Sequence, residues 1–216
     1  MDILVPIPKS IKELGGSFII DKNVIVYYEG YHNKILLERL DLFINQINEL
    51  TTTSNNFHLF LKNKNKLPTG KTIFIMCNNS KNYIYPMPED DESYTINVTN
   101  TSIKIVGKTV NGTLHGISTL IQLMNIKRKV IYIPCCEIND KPLCWWRGLM
   151  VDTVRHFIPI YVLERIINDM SKVKLNVLHL HLSDDQGFRF ESKKFPKLHG
   201  INQEYYSQTE LKKLVK

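Results

Sequence analysis

The chain has 216 residues, of which 43% are hydrophobic and 23% charged, an ordinary balance for a globular protein of one or two domains with a real core. Its formal charge of +7 comes from scattered lysine, dense only at Lys62-Asn63-Lys64-Asn65-Lys66 and Lys127-Arg128-Lys129. No motif organises those charges into a basic face, so no nucleic-acid partner is expected. No apolar run approaches membrane-spanning length, which argues against a membrane partner. Cys77, Cys135, Cys136 and Cys144 show neither disulfide-framework nor zinc spacing. Asp2 follows Met1 with no apolar stretch behind it, so a signal peptide is not expected and the reading is cytoplasmic.

In chain order, Met1 to Gly16 reads as an extended lead-in carrying Pro6 and Pro8. Ser17 to Ile20 and Val24 to Tyr28 are β-branched runs around Asp21-Lys22-Asn23, which predicts a hairpin. Leu36, Leu40, Phe43, Ile47 and Leu50 form a helical stripe within 32–50. Thr51 to Asn56 reads as a loop, Phe57 to Leu61 as a strand, Lys62 to Gly70 as a solvated turn and Ile73 to Cys77 as a further strand. The acidic run Glu89 to Glu92 reads as a solvated face. Ser93 to Val98 and Ser102 to Val106 pair as a hairpin over Thr99-Asn100-Thr101. Asn111 or Thr113 is the expected cap of a helix whose stripe is Leu114, Ile117, Leu120, Ile121 and Met124. Val130 to Ile133 is expected as a last strand closed by Pro134, with 135–143 as the junction. Strands and two helices in that order describe an α+β domain over 1–140, with a mixed sheet and a supporting role.

The remainder, 141–216, is organised by 145–187. Gly148 to Val151 is a short apolar run that exits into Asp152, Arg155 and His156. Pro159 pre-sets a first helical turn, and Ile160, Leu163, Ile166, Ile167, Met170 and Val173 follow at helical spacing. Asn176 to Leu182 alternates, and Ser183-Asp184-Asp185-Gln186-Gly187 breaks it. This is a βαβ unit of the kind found in doubly wound sheets and (β/α)8 barrels, where chemistry sits at strand C-termini. Thr209 is the expected cap of a final helix.

Arg155, His181, Asp184 and Asp185 therefore need explaining. Singly, each has a structural reading: a solvated arginine, a histidine anchoring a loop, aspartates capping a turn. Jointly, a guanidinium, an imidazole and two carboxylates at successive strand exits would face one cleft. Two chemistries fit. In sugar binding, the arginine fork meets vicinal hydroxyls and a carboxylate orients a histidine. In a metal-dependent hydrolase, His179, His181 and Asp184 would supply N and O ligands. The second wants further ligands elsewhere, and no Cys-x-x-Cys and no His-Glu-x-x-His occurs, so no metal and no cofactor is expected.

Arg147-Gly148-Leu149-Met150-Val151-Asp152 with Arg155-His156-Phe157, followed by Lys174-Leu175-Asn176-Val177-Leu178-His179-Leu180-His181-Leu182-Ser183-Asp184-Asp185-Gln186-Gly187-Phe188-Arg189, resembles the opening of the catalytic barrel of glycoside hydrolase family 20, the β-N-acetylhexosaminidases. Tyr94 to Glu137 resembles the end of that family's small N-terminal domain. The resemblance implies an α+β domain followed by the opening βα units of an incomplete (β/α)8 TIM barrel, and glycans ending in N-acetylglucosamine or N-acetylgalactosamine as partners. It implies that Arg155 holds the 3- and 4-hydroxyls of the terminal sugar and that Asp184 orients a histidine behind the catalytic acid. His181, Asp185 and Asp152 take supporting places, and Arg147 a structural one. Phe188 stands where the family often has Trp.

The implied mechanism is substrate-assisted retention. The acetamido oxygen attacks the anomeric carbon, a Glu protonates the leaving group, and an Asp orients the acetamido nitrogen. The family places that pair in His-x-Gly-Gly-Asp-Glu, which these 216 residues do not contain. The expectation is a hexosaminidase fragment without turnover; a non-catalytic carbohydrate-binding or orphan fragment is the alternative. A further expectation follows from two βα units being too few to close a barrel: Leu149, Val151, Val177 and Leu182 should be exposed on an open sheet.

Overall fold

The computed structural model describes residues 4–21, 24–31, 33–50, 59–61, 70–79, 85–200 and 204–215. The chain divides into two compact units, Met1–Trp145 and Trp146–Lys216. No helix among the described residues is long and apolar enough to cross a membrane.

In the first unit the strands are β1 (Ser10–Ile20), β2 (Ile25–Gly30), β3 (Leu59–Leu61), β4 (Thr72–Cys77), β5 (Tyr94–Val98), β6 (Ser102–Gly107), β7 (Asn125–Lys127) and β8 (Val130–Asp140). They form one eight-stranded sheet in the order β1-β8-β5-β6-β4-β2-β3, with β7 paired to β8. Pairings among β2, β3, β4 and β6 are parallel and the rest antiparallel. Period-2 alternation buries one row of each strand: Ile73 and Ile75 in β4, Tyr94, Ile96 and Val98 in β5, Ile103 and Ile105 in β6. Helix α1 (Lys34–Leu50) adds Leu36, Leu40, Phe43 and Ile47 to that core, and α2 (Val110–Leu123) adds Ile117 and Leu120. Each such side chain contributes about 1.5–3 kcal/mol when fully removed from water. One buried polar group of this core is doubly partnered: the Tyr94 hydroxyl donates to Asp140 Oδ2 at 2.6 Å and lies 2.7 Å from Thr119 Oγ1.

The sheet corrects three expectations. The runs 17–20 and 24–28 are not a hairpin: β1 lies on β8, and β2 lies between β3 and β4. A β-branched run specifies a strand but not its partner. Here α1 follows β2 directly and provides the crossover that a parallel neighbour requires. Pro134 does not close β8, which runs on to Asp140 and takes up most of the expected junction. Pro134 sits opposite Ser17, where the β1–β8 register shifts between Glu13 and Ser17, and a proline at a bulge sacrifices no regular ladder bond. The cap of α2 is Thr109, whose hydroxyl accepts from the Gly112 amide at 3.3 Å, and not Asn111 or Thr113. Thr51 to Asn56, residues 62–69 and the Lys22-Asn23 turn lie outside the described residues.

In the second unit β9 (Gly148–Asp152) and β10 (Val177–His181) pair in parallel, from Val177 opposite Gly148 to His181 opposite Asp152. Helix α3 (Ile160–Lys172) crosses between them. It ends on Lys174, in the left-handed region at φ 63, with Leu175 N donating to the Met170 carbonyl at 3.0 Å and Lys174 N to the Ser171 carbonyl at 3.4 Å. Arg147 Nε then donates to the Lys174 carbonyl at 2.7 Å, and the Arg147 amide to Asn176 Oδ1 at 2.9 Å, so Arg147 ties the start of β9 to the start of β10. Beyond β10, β11 (Ser183–Asp184) and β12 (Gly187–Phe188) make a tight hairpin, and α4 (Gln208–Leu214) follows. Ser207, not Thr209, caps α4, in a reciprocal capping box with Glu210. The small core is Val151, Leu163 and Tyr206, with Ile160, Ile166, Leu178 and Leu180 packed on it. Of the expected open face, Leu149 is 38% exposed, whereas Val151 is buried with Leu163 of α3 in that core, and Val177 and Leu182 are half-buried.

Candidate functional site

The two parallel strands end side by side, and their last residues open the site. Asp152 closes β9 and turns its carboxylate back on the chain: Oδ1 accepts from the Val154 amide at 2.9 Å and the Arg155 amide at 3.2 Å. This local aspartate turn reverses the backbone just after the strand. Thr153 joins the two exits, its amide and hydroxyl both donating to the His181 carbonyl, at 3.3 and 2.9 Å.

Arg155 projects from that turn into a clamp. Nη1 donates to Asp152 Oδ2 at 2.7 Å and Nη2 lies 2.6 Å from Asp184 Oδ2. The Arg155 side chain keeps 53% of its surface exposed. Of the five N–H donors of a guanidinium, two are used in the clamp, and among the described residues three remain available for a ligand. Asp184 Oδ2 also lies 2.8 Å from His181 Nε2, and Asp184 Oδ1 accepts the Asp185 amide at 2.8 Å. The Asp185 amide, then His181, hold the Asp184 carboxyl down at about 2, against desolvation. An ionised carboxylate only accepts, so His181 Nε2 carries the proton between them. Asp152 is also held below the usual carboxylate range. Desolvation pushes it up, and hydrogen bonds from the Arg155 side chain and from the Arg155 and Val154 amides outweigh that push.

Arg155, His181, Asp184 and Asp152 are therefore one connected cluster, and Asp185 enters through its backbone. His179, two residues back along β10, is exposed and stands apart. Among the described residues no group of three His, Cys, Asp or Glu side chains is arranged to hold a metal ion, which corrects the metal alternative of His179, His181 and Asp184. The physical reason is local: the Asp184 oxygen such a metal would need already faces a guanidinium, which repels a cation.

Arg189 escaped the sequence reading as a functional position. Its Nη2 donates to the Val154 carbonyl at 2.8 Å and its Nη1 to the Glu204 carbonyl at 2.9 Å, and its guanidinium lies 5.8 Å from the Phe157 ring centroid. It braces the 153–159 loop that carries Arg155. The available signal was its place at the end of the Ser183–Arg189 motif, two residues beyond the tight turn.

Chemically, the cluster offers free donors on a fixed guanidinium, rimmed by carboxylates, at the C-terminal end of a parallel pair. The model of the glycosyl hydrolase family 20 catalytic domain matches residues 145–216, and that of domain 2 of the same family matches 2–141. Beta-hexosaminidase subunit B1 of Dictyostelium discoideum is 32% identical over 95% of this chain and 34% of its own length. Beta-hexosaminidase subunit beta of Entamoeba histolytica is 47% identical over 50% of this chain and 20% of its own. The chitobiase of Flavobacterium johnsoniae superposes with a TM-score of 0.83 at 33% identity, over 98% of this chain and 32% of that one. An exo-β-N-acetylglucosaminidase of Vibrio harveyi, solved with N-acetylglucosamine, gives 0.76 at 26% identity over 98% and 33%. The chain thus spans about a fifth to a third of the length of such relatives.

Proposed function

The chain belongs to glycosyl hydrolase family 20, and from that premise we propose that it carries the sugar-gripping part of a β-N-acetylhexosaminidase site. The observation behind this reading is Arg155, clamped between Asp152 and Asp184 with three donors to spare. A rigid planar fork of this kind suits two adjacent hydroxyls of a terminal N-acetylhexosamine. Asp184, kept ionised, is placed to hold an imidazole in one orientation, as it does with His181. In the retaining reaction the acetamido oxygen attacks the anomeric carbon as the glycosidic bond breaks, and a carboxylic acid delivers the proton to the leaving oxygen. Water then opens the oxazolinium ion and restores the acetamido group with retained configuration. The unit Met1–Trp145, with no comparable cluster among its described residues, acts as a support domain.

These 216 residues contain no His-x-Gly-Gly-Asp-Glu, so the chain by itself binds the sugar and does not turn it over. The test is an NMR titration of the 216-residue protein with N-acetylglucosamine, beside an assay with 4-nitrophenyl N-acetyl-β-glucosaminide. Amide shifts at 152–155 and 181–185 that vanish in Arg155→Ala, with no release of nitrophenol, are the expected outcome. Binding that is indifferent to Arg155→Ala removes the assigned grip. Nitrophenol release abolished by a substitution within these residues shows that the acid is among them.

A further inference from the structure

The peptide group between Val154 and Arg155 is held at both ends by charged side chains. Its N–H, on Arg155, donates to Asp152 Oδ1 at 3.2 Å, and its C=O, on Val154, accepts from Arg189 Nη2 at 2.8 Å. An anion at the donor and a cation at the acceptor polarise one planar amide in the same sense, so each bond strengthens the other. Turning the peptide over would break both. The effect reaches the guanidinium through Asp152, because the carboxylate that accepts the Arg155 amide on Oδ1 accepts Arg155 Nη1 on Oδ2 at 2.7 Å.

Arg189 is itself fixed at its backbone. Its N–H donates to the Leu182 carbonyl at 2.7 Å, just past β10, and its C=O accepts from the Tyr206 amide at 2.9 Å. From there the side chain meets only neutral partners: the Val154 and Glu204 carbonyls and the Phe157 ring. No carboxylate among the described residues pairs with it, and its buried Nε–H has no partner there. An unmet buried donor and an uncompensated cation are costly. An apolar side chain would spare the fold that cost, so stability alone does not account for an arginine here.

We propose that Arg189 is a positioning residue for the sugar grip. By fixing the Val154–Arg155 peptide it holds, through the Asp152 carboxylate, the direction in which the Arg155 fork faces a terminal N-acetylhexosamine. The inference rests on the reading given above for Arg155. It adds a residue that acts on the sugar without touching it, from the far side of the β11–β12 hairpin.

The experiment follows the whole 216-residue chain by three readouts beside its melting temperature: exchange of the Arg155 amide, the NMR midpoint of the Asp152 carboxyl carbon, and affinity for N-acetylglucosamine. In Arg189→Met the amide should exchange about tenfold faster and the sugar should bind about tenfold more weakly. The Asp152 midpoint should move upward as its bonds from Arg155 loosen. Arg189→Lys keeps the cation but not the planar fork, and should restore part of all three; it decides by the same readouts where Arg189→Met fails to fold. Unchanged Arg155 exchange and Asp152 midpoint overturn the inference. A sugar affinity that depends on Arg155 yet ignores Arg189→Met overturns it and leaves the reading of Arg155 intact. A lower melting temperature with the three readouts kept makes Arg189 a brace alone, and overturns it too. A loosened amide and a raised midpoint in a chain whose wild type takes no sugar uphold the hold of Arg189 on Arg155 and overturn the reading of Arg155 as a sugar grip.

Discussion

Removing one hydroxyl from the core of the second unit tests how the Arg155 loop is held. Tyr206 is 1% exposed, its ring stacks on Phe157 with centroids 4.9 Å apart, and its hydroxyl donates to the Ile158 carbonyl. Burial pushes the phenol up, so it remains a donor throughout the usual pH range. Tyr206→Phe keeps the ring and leaves the Ile158 carbonyl short of its partner. A lost hydrogen bond alone costs about 0.5–1.5 kcal/mol and an unsatisfied buried acceptor about 1–3, so about 2 kcal/mol is expected. In a unit of this size each kcal/mol moves the melting temperature by roughly 4–8 °C, hence a fall of about 8–16 °C. Amide exchange at Thr153, whose N–H is bonded to the His181 carbonyl, should speed up about thirtyfold, given about 1.4 kcal/mol per factor of ten. Tyr205→Phe, which keeps the ring tilted against His199, is the control and should stay within about 0.5 kcal/mol. An unchanged melting temperature together with unchanged Thr153 exchange in Tyr206→Phe would refute the idea that this hydroxyl pins the loop.

Three other outcomes are expected. Leu163, 0% exposed in a core of few residues, should cost about 2–5 kcal/mol as Ala; proteolysis should then degrade the second unit and spare the first, and equal loss of both would contradict it. A Cβ at Gly107 would lie 2.3 Å from the Thr113 amide nitrogen, so Gly107→Ala should cost about 3 kcal/mol or more in the first unit, read by urea unfolding; a shift below about 1 kcal/mol would be too small for that contact. The folded pKa of Asp184, about 2, lies below its ordinary value of 3.8. The stabilisation it carries is complete above about pH 4 and is lost as pH falls towards about 2. Its carboxyl carbon should titrate near 2 by NMR and move upward in His181→Ala, and an ordinary midpoint would disprove the clamp.

Local periodicity was legible where one face is buried. The α1 stripe and the βαβ order of β9, α3 and β10 follow from spacing alone, as does the β5–β6 hairpin with its short polar turn. Pairing was not legible where partners are distant. Nothing in Val24 to Tyr28 says that its neighbours come from residues 59–61 and 72–77 rather than from the run just before it. The caps failed for a related reason: Thr109 and Asn111, or Ser207 and Thr209, are equivalent as residue types. Only the path of the chain decides which oxygen meets the third amide of the helix. In the site, the gathering of Arg155 and Asp184 could be read from successive strand exits. The bond from His181 to the same carboxylate oxygen could not, because it depends on the tight β11–β12 turn that swings Asp184 back.

The lock between Arg147, Lys174 and Asn176 has a consequence at the far end of its strand. Side chains on a strand alternate between faces, so a slip of one residue exchanges every neighbour. Were β10 to advance by one place against β9, Leu180 or Leu182 would stand where the imidazole now meets Asp184, and a greasy side chain would replace the proton donor. The bonds from Arg147 to the Lys174 carbonyl and to Asn176 forbid that slip, although they lie roughly 16 Å from His181 at about 3.3 Å per residue. An arginine at the opposite end of the strand pair thereby determines which chemical group stands beside Asp184.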